Sequence, residues 1–186
     1  TLRDKFVSLY PQFAEKTIAV PNPVPRDEIL RKSSESTPFL VDRFKHNLIT
    51  IGRFEPEKRY DRLLEIAAEL KDRSFCFRWY FVGDGMLFDE IKEKRDQLGL
   101  EQEVVMTGAL QNPYPLLKQC GLMVLLSEYE GTPVTIDEAN VLGVPVLAND
   151  VGGVKEQIGK GNGIVITQRD PYQIADSIAG FFRKIY

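Results

Sequence analysis

The chain has 186 residues, with 24 lysines and arginines against 27 aspartates and glutamates and a formal net charge of −3. That is enough for one sizeable core plus an appendage, and the mild acidity weighs against a dedicated nucleic-acid binder, which carries a basic excess. No run approaches the ~18 apolar residues that a membrane helix needs, and the polar start Thr1-Leu2-Arg3-Asp4-Lys5 does not read as a signal peptide.

Residues 1 to 9 read as a short amphipathic helix that begins without a methionine, so a piece of a longer protein is expected. A brief apolar run, Thr17 to Val20, precedes Pro21-Asn22-Pro23-Val24-Pro25, which is too proline-rich for a regular element. Arg26 to Lys32 predicts a helical turn or two, and Ser33 to Pro38 a polar linker. Residues 1–44 are therefore expected to form linker and edge elements, and 45–186 the main domain.

From His46 the texture alternates. Apolar runs occur at Leu48 to Ile51, Cys76 to Val82, Val104 to Thr107, Leu122 to Leu126, Val144 to Ala148 and Ile164 to Ile166. Helical patterns lie between and after them: Arg59 to Arg73, Met86 to Leu98, Pro113 to Cys120, Pro133 to Leu142, Gly153 to Ile158 and Pro171 to Tyr186. Strands that are nearly continuous Val/Ile/Leu, alternating with helices, predict a parallel sheet covered on both faces. With right-handed crossovers this is a Rossmann-like, doubly wound α/β domain, whose ligands bind at the carboxyl ends of the strands. Arg53, Gly83, Gly108, Glu130 and Asp150 all fall at such ends.

Two charge patterns stand there. Arg53 ends the first strand and Lys58 follows before the next helix; a guanidinium fork and a compact ammonium suit phosphate oxygens. The bland reading pairs them with Glu55 and Glu57 as solvated loop charges. Neither an Asp-x-Asp pair nor a carboxylate cluster offers itself to a magnesium ion, so no metal is expected. The second pattern is Glu130 with Glu138, separated by seven residues. Pro133 is expected at the first helical position, leaving the Val134 and Thr135 amides free as a phosphate seat aided by the helix dipole. Were the helix to reach back to Glu130, the two carboxylates would stand roughly 12 Å apart, about the length of a nucleotide-sugar. Their bland readings are a loop acid and an ordinary first-turn glutamate.

Other signals are weaker. Val82-Gly83-Asp84-Gly85 lacks the third glycine of a dinucleotide fingerprint, and Gly159-Lys160-Gly161-Asn162-Gly163 has the wrong spacing for a P-loop and reads as a turn. Asp150-Val151-Gly152-Gly153 turns tightly near the strand ends, with Glu156 expected to face back toward them. His46, the only histidine, is expected to be structural, which leaves no Ser or Cys nucleophile with a base. Cys76 and Cys120 lack metal-type spacing and are expected to be buried thiols.

Taken together, Gly52-Arg53 with Lys58, Val82 to Gly85, Val105-Met106-Thr107-Gly108, Glu130-Gly131…Glu138-Ala139, Gly143 to Val146 and Asp150 to Gly153…Glu156 resemble the C-terminal half of GT-B retaining glycosyltransferases, family 4 (group 1). The resemblance runs over roughly residues 46–170, and Asn22-Pro23 resembles the segment joining the two halves. It implies a domain binding a nucleoside-diphosphate sugar, UDP- or GDP-linked, with no further cofactor and no metal. Arg53 and Lys58 would hold the diphosphate, Glu138 the ribose, and Glu130 the donor sugar as the catalytic candidate. Gly131, Thr132, Val134 and Thr135 would seat phosphate and sugar, and the loop near Val105 to Thr107 would touch the base.

Transfer would retain anomeric configuration and go to a glycan or glycolipid bound by an N-terminal domain that this chain lacks, so the chain alone is expected to transfer nothing. The setting implied is cytoplasmic, at the inner face of the membrane. Thr132-Pro133 departs from the more frequent Phe-Gly, and the proline removes one backbone donor. The alternatives are an enzyme akin to the non-hydrolysing nucleotide-sugar epimerases, which would want histidines around the sugar, a non-catalytic nucleotide-binding module, and a flavodoxin-like domain.

Overall fold

The computed structural model describes residues 2–20, 22–39, 41–42, 45–159 and 163–185. The turn expected over Lys160 to Asn162, and Pro21 of the proline-rich stretch, lie outside them.

Six parallel strands form one sheet: β1 (His46–Ile51), β2 (Phe77–Val82), β3 (Val104–Gly108), β4 (Leu122–Leu125), β5 (Val146–Asn149) and β6 (Gly163–Ile166), in the order β3-β2-β1-β4-β5-β6. The helices are α1 (Leu2–Leu9), α2 (Arg26–Lys32), α3 (Tyr60–Asp72), α4 (Phe88–Gln97), α5 (Tyr114–Leu117), α6 (Val134–Leu142), α7 (Val154–Ile158) and α8 (Pro171–Ile185). This is the doubly wound α/β arrangement that the alternating runs predict.

Strand side chains alternate between two apolar layers. Leu48, Trp79 and Val124 pack with α3 and α8 through Leu63, Ile66, Ala67, Leu70, Ile174 and Ile178. Ile49, Tyr80 and Met123 pack on the other face with Leu116, Ile136, Ala139 and Val154 of α5, α6 and α7. One polar chain crosses the core: the Trp79 indole donates to Thr50 Oγ1 (3.1 Å), whose hydroxyl donates to the Val124 carbonyl (2.8 Å). These bonds satisfy groups that would otherwise be costly to bury.

The order reverses between β1 and β4, which pair through Leu48–Leu122 and Ile49–Met123. Connections leave these two strands in opposite directions, which opens a crevice beyond their carboxyl ends. At that edge glycines allow close backbone approach. A Cβ on Gly83 (φ +144°) would lie 1.9 Å from the Gly52 carbonyl oxygen, so the end of β2 can press against the loop after β1 only without a side chain. The incomplete fingerprint Val82 to Gly85 thus has a packing role.

Thr17 to Val20 lie outside any helix or strand, with Ile18 and Val20 80% and 76% exposed. Two local expectations are corrected. Cys76 is exposed, since β2 starts one residue later, whereas Cys120 is buried and its thiol is pushed up by that burial. The helix over Pro113 to Cys120 shrinks to one turn. Residues 22–39 return to the domain, where α2 packs on α5 and α6 with Ile29 fully buried.

Candidate functional site

Beyond the β1 and β4 ends lies an open cleft of about 600 Å³, lined by Gly52, Arg53, Glu57 and Lys58 on one side and Tyr129, Glu130, Gly131, Val134 and Thr135 on the other. The loop after β1 makes a 3-10 turn over Pro56–Lys58 that ends at Arg59 in the left-handed region (φ +55°). The Tyr60 hydroxyl, its ring stacked on Phe54 at 3.8 Å, donates to the Gly52 carbonyl (2.9 Å) and fixes the start of this loop.

Lys58 Nζ meets Glu130 Oε1 at 2.5 Å across the cleft, with side chains only 18% and 10% exposed. Arg53 is the opposite case, 75% exposed, with its guanidinium 4.0 Å from both Glu55 and Glu57. At that distance and exposure the bland pairing is worth little, so the guanidinium is available to a ligand anion.

The loop carrying Glu130 is held from two sides. The Glu128 amide donates to the Glu57 carbonyl (2.8 Å), and the Glu128 carboxylate accepts from Arg59 and from Arg62 (3.4 Å). Arg59 also grips Asp61 (2.9 Å), a hydrogen bond that drives its guanidinium above the ordinary arginine range. On the far side, Gly152 (φ +55°) and Gly153 press against the loop's backbone, and the Gly153 amide donates to the Gly131 carbonyl (2.9 Å).

Helix α6 opens at Val134, and Pro133 is its N-cap with an extended ψ of 117°, one position earlier than expected. No side chain caps this end. The Val134 and Thr135 amides therefore keep their hydrogen-bonding capacity at the cleft, where the helix dipole adds positive potential. Gln157 Nε2 donates to the Pro133 carbonyl (3.1 Å) and anchors the cap. The helix does not reach back to Glu130, which stands in the loop, so the helical spacing of the two glutamates does not apply.

Glu138 is half-buried one turn deeper in α6 and does not line the cleft as it stands; its Oε1 accepts from the Tyr114 hydroxyl (2.9 Å). Burial raises its carboxyl above the ordinary value, against the opposing effect of the Tyr114 bond. Thr132 also lies outside the lining, and its carbonyl accepts from Asn22 Nδ2 (3.2 Å).

The family model for glycosyl transferases group 1 matches residues 39–184. The chain belongs to the group 1 glycosyl transferases. It is similar to the putative glycosyltransferase EpsF of Bacillus subtilis, 33% identical over 132 residues, which cover 69% of this chain and 34% of EpsF. Among solved structures it is similar to TarM, with a TM-score of 0.68 and 28% identity over 73% of this chain and 28% of that one. A glycosyltransferase of Rickettsia africae shares the fold over 100% of this chain and 52% of its own length, with a TM-score of 0.78 and 18% identity. These likenesses make the sheet a GT-B glycosyltransferase domain. The chain spans about a third or less of the first curated relatives it matches.

Of the residues expected at a glycosyl transferase site, the structure gathers Arg53, Lys58, Glu130, Gly131, Val134 and Thr135 into one cleft and leaves Thr132 and Glu138 at its margin. Val105 to Thr107 lie within the edge strand β3, away from the cleft lining, and Glu156 is exposed on α7. His46 is stacked on Phe75 (4.7 Å) and packed against the tilted ring of Phe182 (4.5 Å) at the amino end of β1, far from the chemistry that an epimerase-like site would ask of it. Sequence reasoning missed Glu128, Arg59 and Tyr114. Glu128 and Tyr129 did adjoin Glu130 in the sequence, but nothing there tied them to a distant arginine. Among the described residues no group of three or more His, Cys, Asp or Glu side chains is placed to hold a metal, and no helix is long and apolar enough to cross a membrane.

Proposed function

We propose that the cleft binds a nucleoside-diphosphate sugar and is the donor site of a retaining transferase. The observation that carries this reading is the Lys58–Glu130 pair set beside the exposed Arg53 and the uncapped start of α6. Three independent sources of positive potential converge on one open space, and one carboxylate stands among them. A diphosphate satisfies the first feature; a sugar with developing positive charge at its anomeric carbon uses the second.

In this reading Arg53, Lys58 and the amides of Gly131, Val134 and Thr135 hold the diphosphate and stabilise it as it leaves. Their charge is fixed before reaction, so it acts without reorganisation, and it stands where a divalent ion would otherwise be needed. Glu130 holds the donor sugar and faces the oxocarbenium-like centre, as carboxylates do in glycoside hydrolysis. Glu138 accepts from the ribose hydroxyls. The acceptor, a glycan or glycolipid, comes from a further domain of the whole protein, which works in the cytoplasm at the inner membrane face. The base is uracil or guanine, and no other cofactor takes part.

Thermal melting of the chain with UDP, GDP, ADP and dTDP, in magnesium and in EDTA, tests this. At about 100 times its Kd a ligand adds about 2.7 kcal/mol, or several degrees for a domain of this size. One diphosphate is expected to raise the Tm equally with and without magnesium, and Glu138→Ala to reduce the shift. A shift that requires magnesium, or none with any nucleotide, contradicts the reading.

A further inference from the structure

We propose that Tyr114 is a positioning residue that aims the Glu138 carboxylate at the ribose of the bound nucleotide; this rests on the donor-site reading above. Val134, Thr135 and Glu138 lie three and four residues apart, so they share one face of α6, with Glu138 about one turn deeper than the free amides. A nucleotide whose phosphate sits at those amides and whose ribose runs along the helix meets Glu138 next.

Within the described structure, Glu138 Oε1 accepts from the Tyr114 hydroxyl at 2.9 Å, and Oε2 has no hydrogen-bond partner. One oxygen is anchored and the other is offered. The anchor is itself braced. Asn112 accepts the Tyr114 amide (3.3 Å) through Oδ1, while its Nδ2 donates to the Lys32 carbonyl (3.0 Å) and to Glu35 (2.8 Å) at the end of α2. Tyr114 therefore begins a one-turn helix pinned to a second helix, and its hydroxyl reaches Glu138 from a fixed point. A half-buried glutamate without this contact would sample several rotamers, and the entropy of fixing one would fall on ligand binding.

The readout that separates positioning from mere packing is discrimination between ribose and deoxyribose. UDP, GDP and ADP are each compared with their 2′-deoxy forms by titration calorimetry on the whole 186-residue chain. Tyr114→Phe is expected to weaken the ribonucleotide by about three- to tenfold, the range of one ordinary hydrogen bond, and the deoxynucleotide by less than about twofold. Adding Tyr114→Phe to Glu138→Ala is expected to cost nothing further. Tyr114→Met, a smaller and flexible apolar side chain without the hydroxyl, gives the same ratio where the phenylalanine variant does not fold.

Equal losses for ribose and deoxyribose forms, or additive losses in the double variant, overturn the proposal. If Glu138→Ala removes discrimination while the Tyr114 variants keep it, the tyrosine proposal alone falls. If no nucleoside diphosphate binds the unmodified chain, the donor-site reading falls and takes this one with it.

Discussion

Lys58 Nζ and Glu130 Oε1 face each other at 2.5 Å, so without a ligand the central cation of the cleft is committed to its central carboxylate. On the donor-site reading, a diphosphate entering the cleft would compete with Glu130 for Lys58. Binding of the leaving group and release of the carboxylate toward the sugar would then be one event.

The competition predicts opposite effects for the two partners. Lys58→Ala is expected to weaken a bare nucleoside diphosphate by about tenfold or more, in line with a charge-assisted bond lost in a partly buried site. Glu130→Gln is expected to tighten the same ligand by a few-fold, because a competing negative charge is gone, while transfer by the whole protein collapses. Calorimetric titration of both variants checks this. Weaker binding by Glu130→Gln would show that the pair is not in competition with phosphate.

Gly152 and Gly143 both take positive φ, at +55° and +72°, but only Gly152 faces an obstacle: a Cβ there would lie 1.9 Å from the Glu130 carbonyl oxygen, against nothing within 4 Å at Gly143. Gly143→Ala is expected to cost about 1–2 kcal/mol, the left-handed penalty for a non-glycine residue. Gly152→Ala is expected to cost more and to displace the Glu130 loop. Tm values order the two variants, and only Gly152→Ala should reduce nucleotide affinity.

Glu138 carries a carboxyl raised above its ordinary value by burial, with the Tyr114 hydroxyl opposing the rise and Asp137 adding to it. Tyr114 is itself pushed up to about 12, by burial and then by Glu138, with Glu28 of α2 contributing, so it stays a donor throughout the working range. Because the folded state holds the Glu138 proton more tightly than the unfolded chain, ionisation costs the free protein stability, a cost relieved as pH falls through the raised value. On the donor-site reading, ribose binding would have the reverse dependence, because the acceptor is lost on protonation. Affinity for a ribonucleoside diphosphate is expected to fall with pH from above the ordinary carboxylate range, and Glu138→Ala to remove that component. Phosphate titration is common to both proteins, so the difference between them isolates Glu138.

The fold was legible because the inner apolar runs, those of β1, β4 and β5, are buried on both faces and need a β-rich, uncharged sequence. The cleft was legible for a related reason: in a parallel sheet all carboxyl ends share one edge, so Arg53 and Glu130 had to be neighbours once their strands were recognised. Side-chain partnerships were not legible. Arg59 and Glu128 are 69 residues apart, and Tyr114 and Glu138 are 24 apart, and nothing local marks either pair. Pro133 could not be placed at the cap because proline fixes φ, which is −67° here, and leaves ψ free to be helical or extended.

The central claim is that a nucleoside diphosphate sits between the β1 loop and the start of α6. Backbone amide chemical shifts of the 15N-labelled chain, followed during titration with UDP and GDP, test it most directly. The account predicts that the largest shifts fall on Gly131, Val134 and Thr135, followed by the loop from Arg53 to Lys58, and that Lys58→Ala suppresses them. Saturable shifts centred elsewhere on the sheet edge, with these amides unmoved, would contradict it.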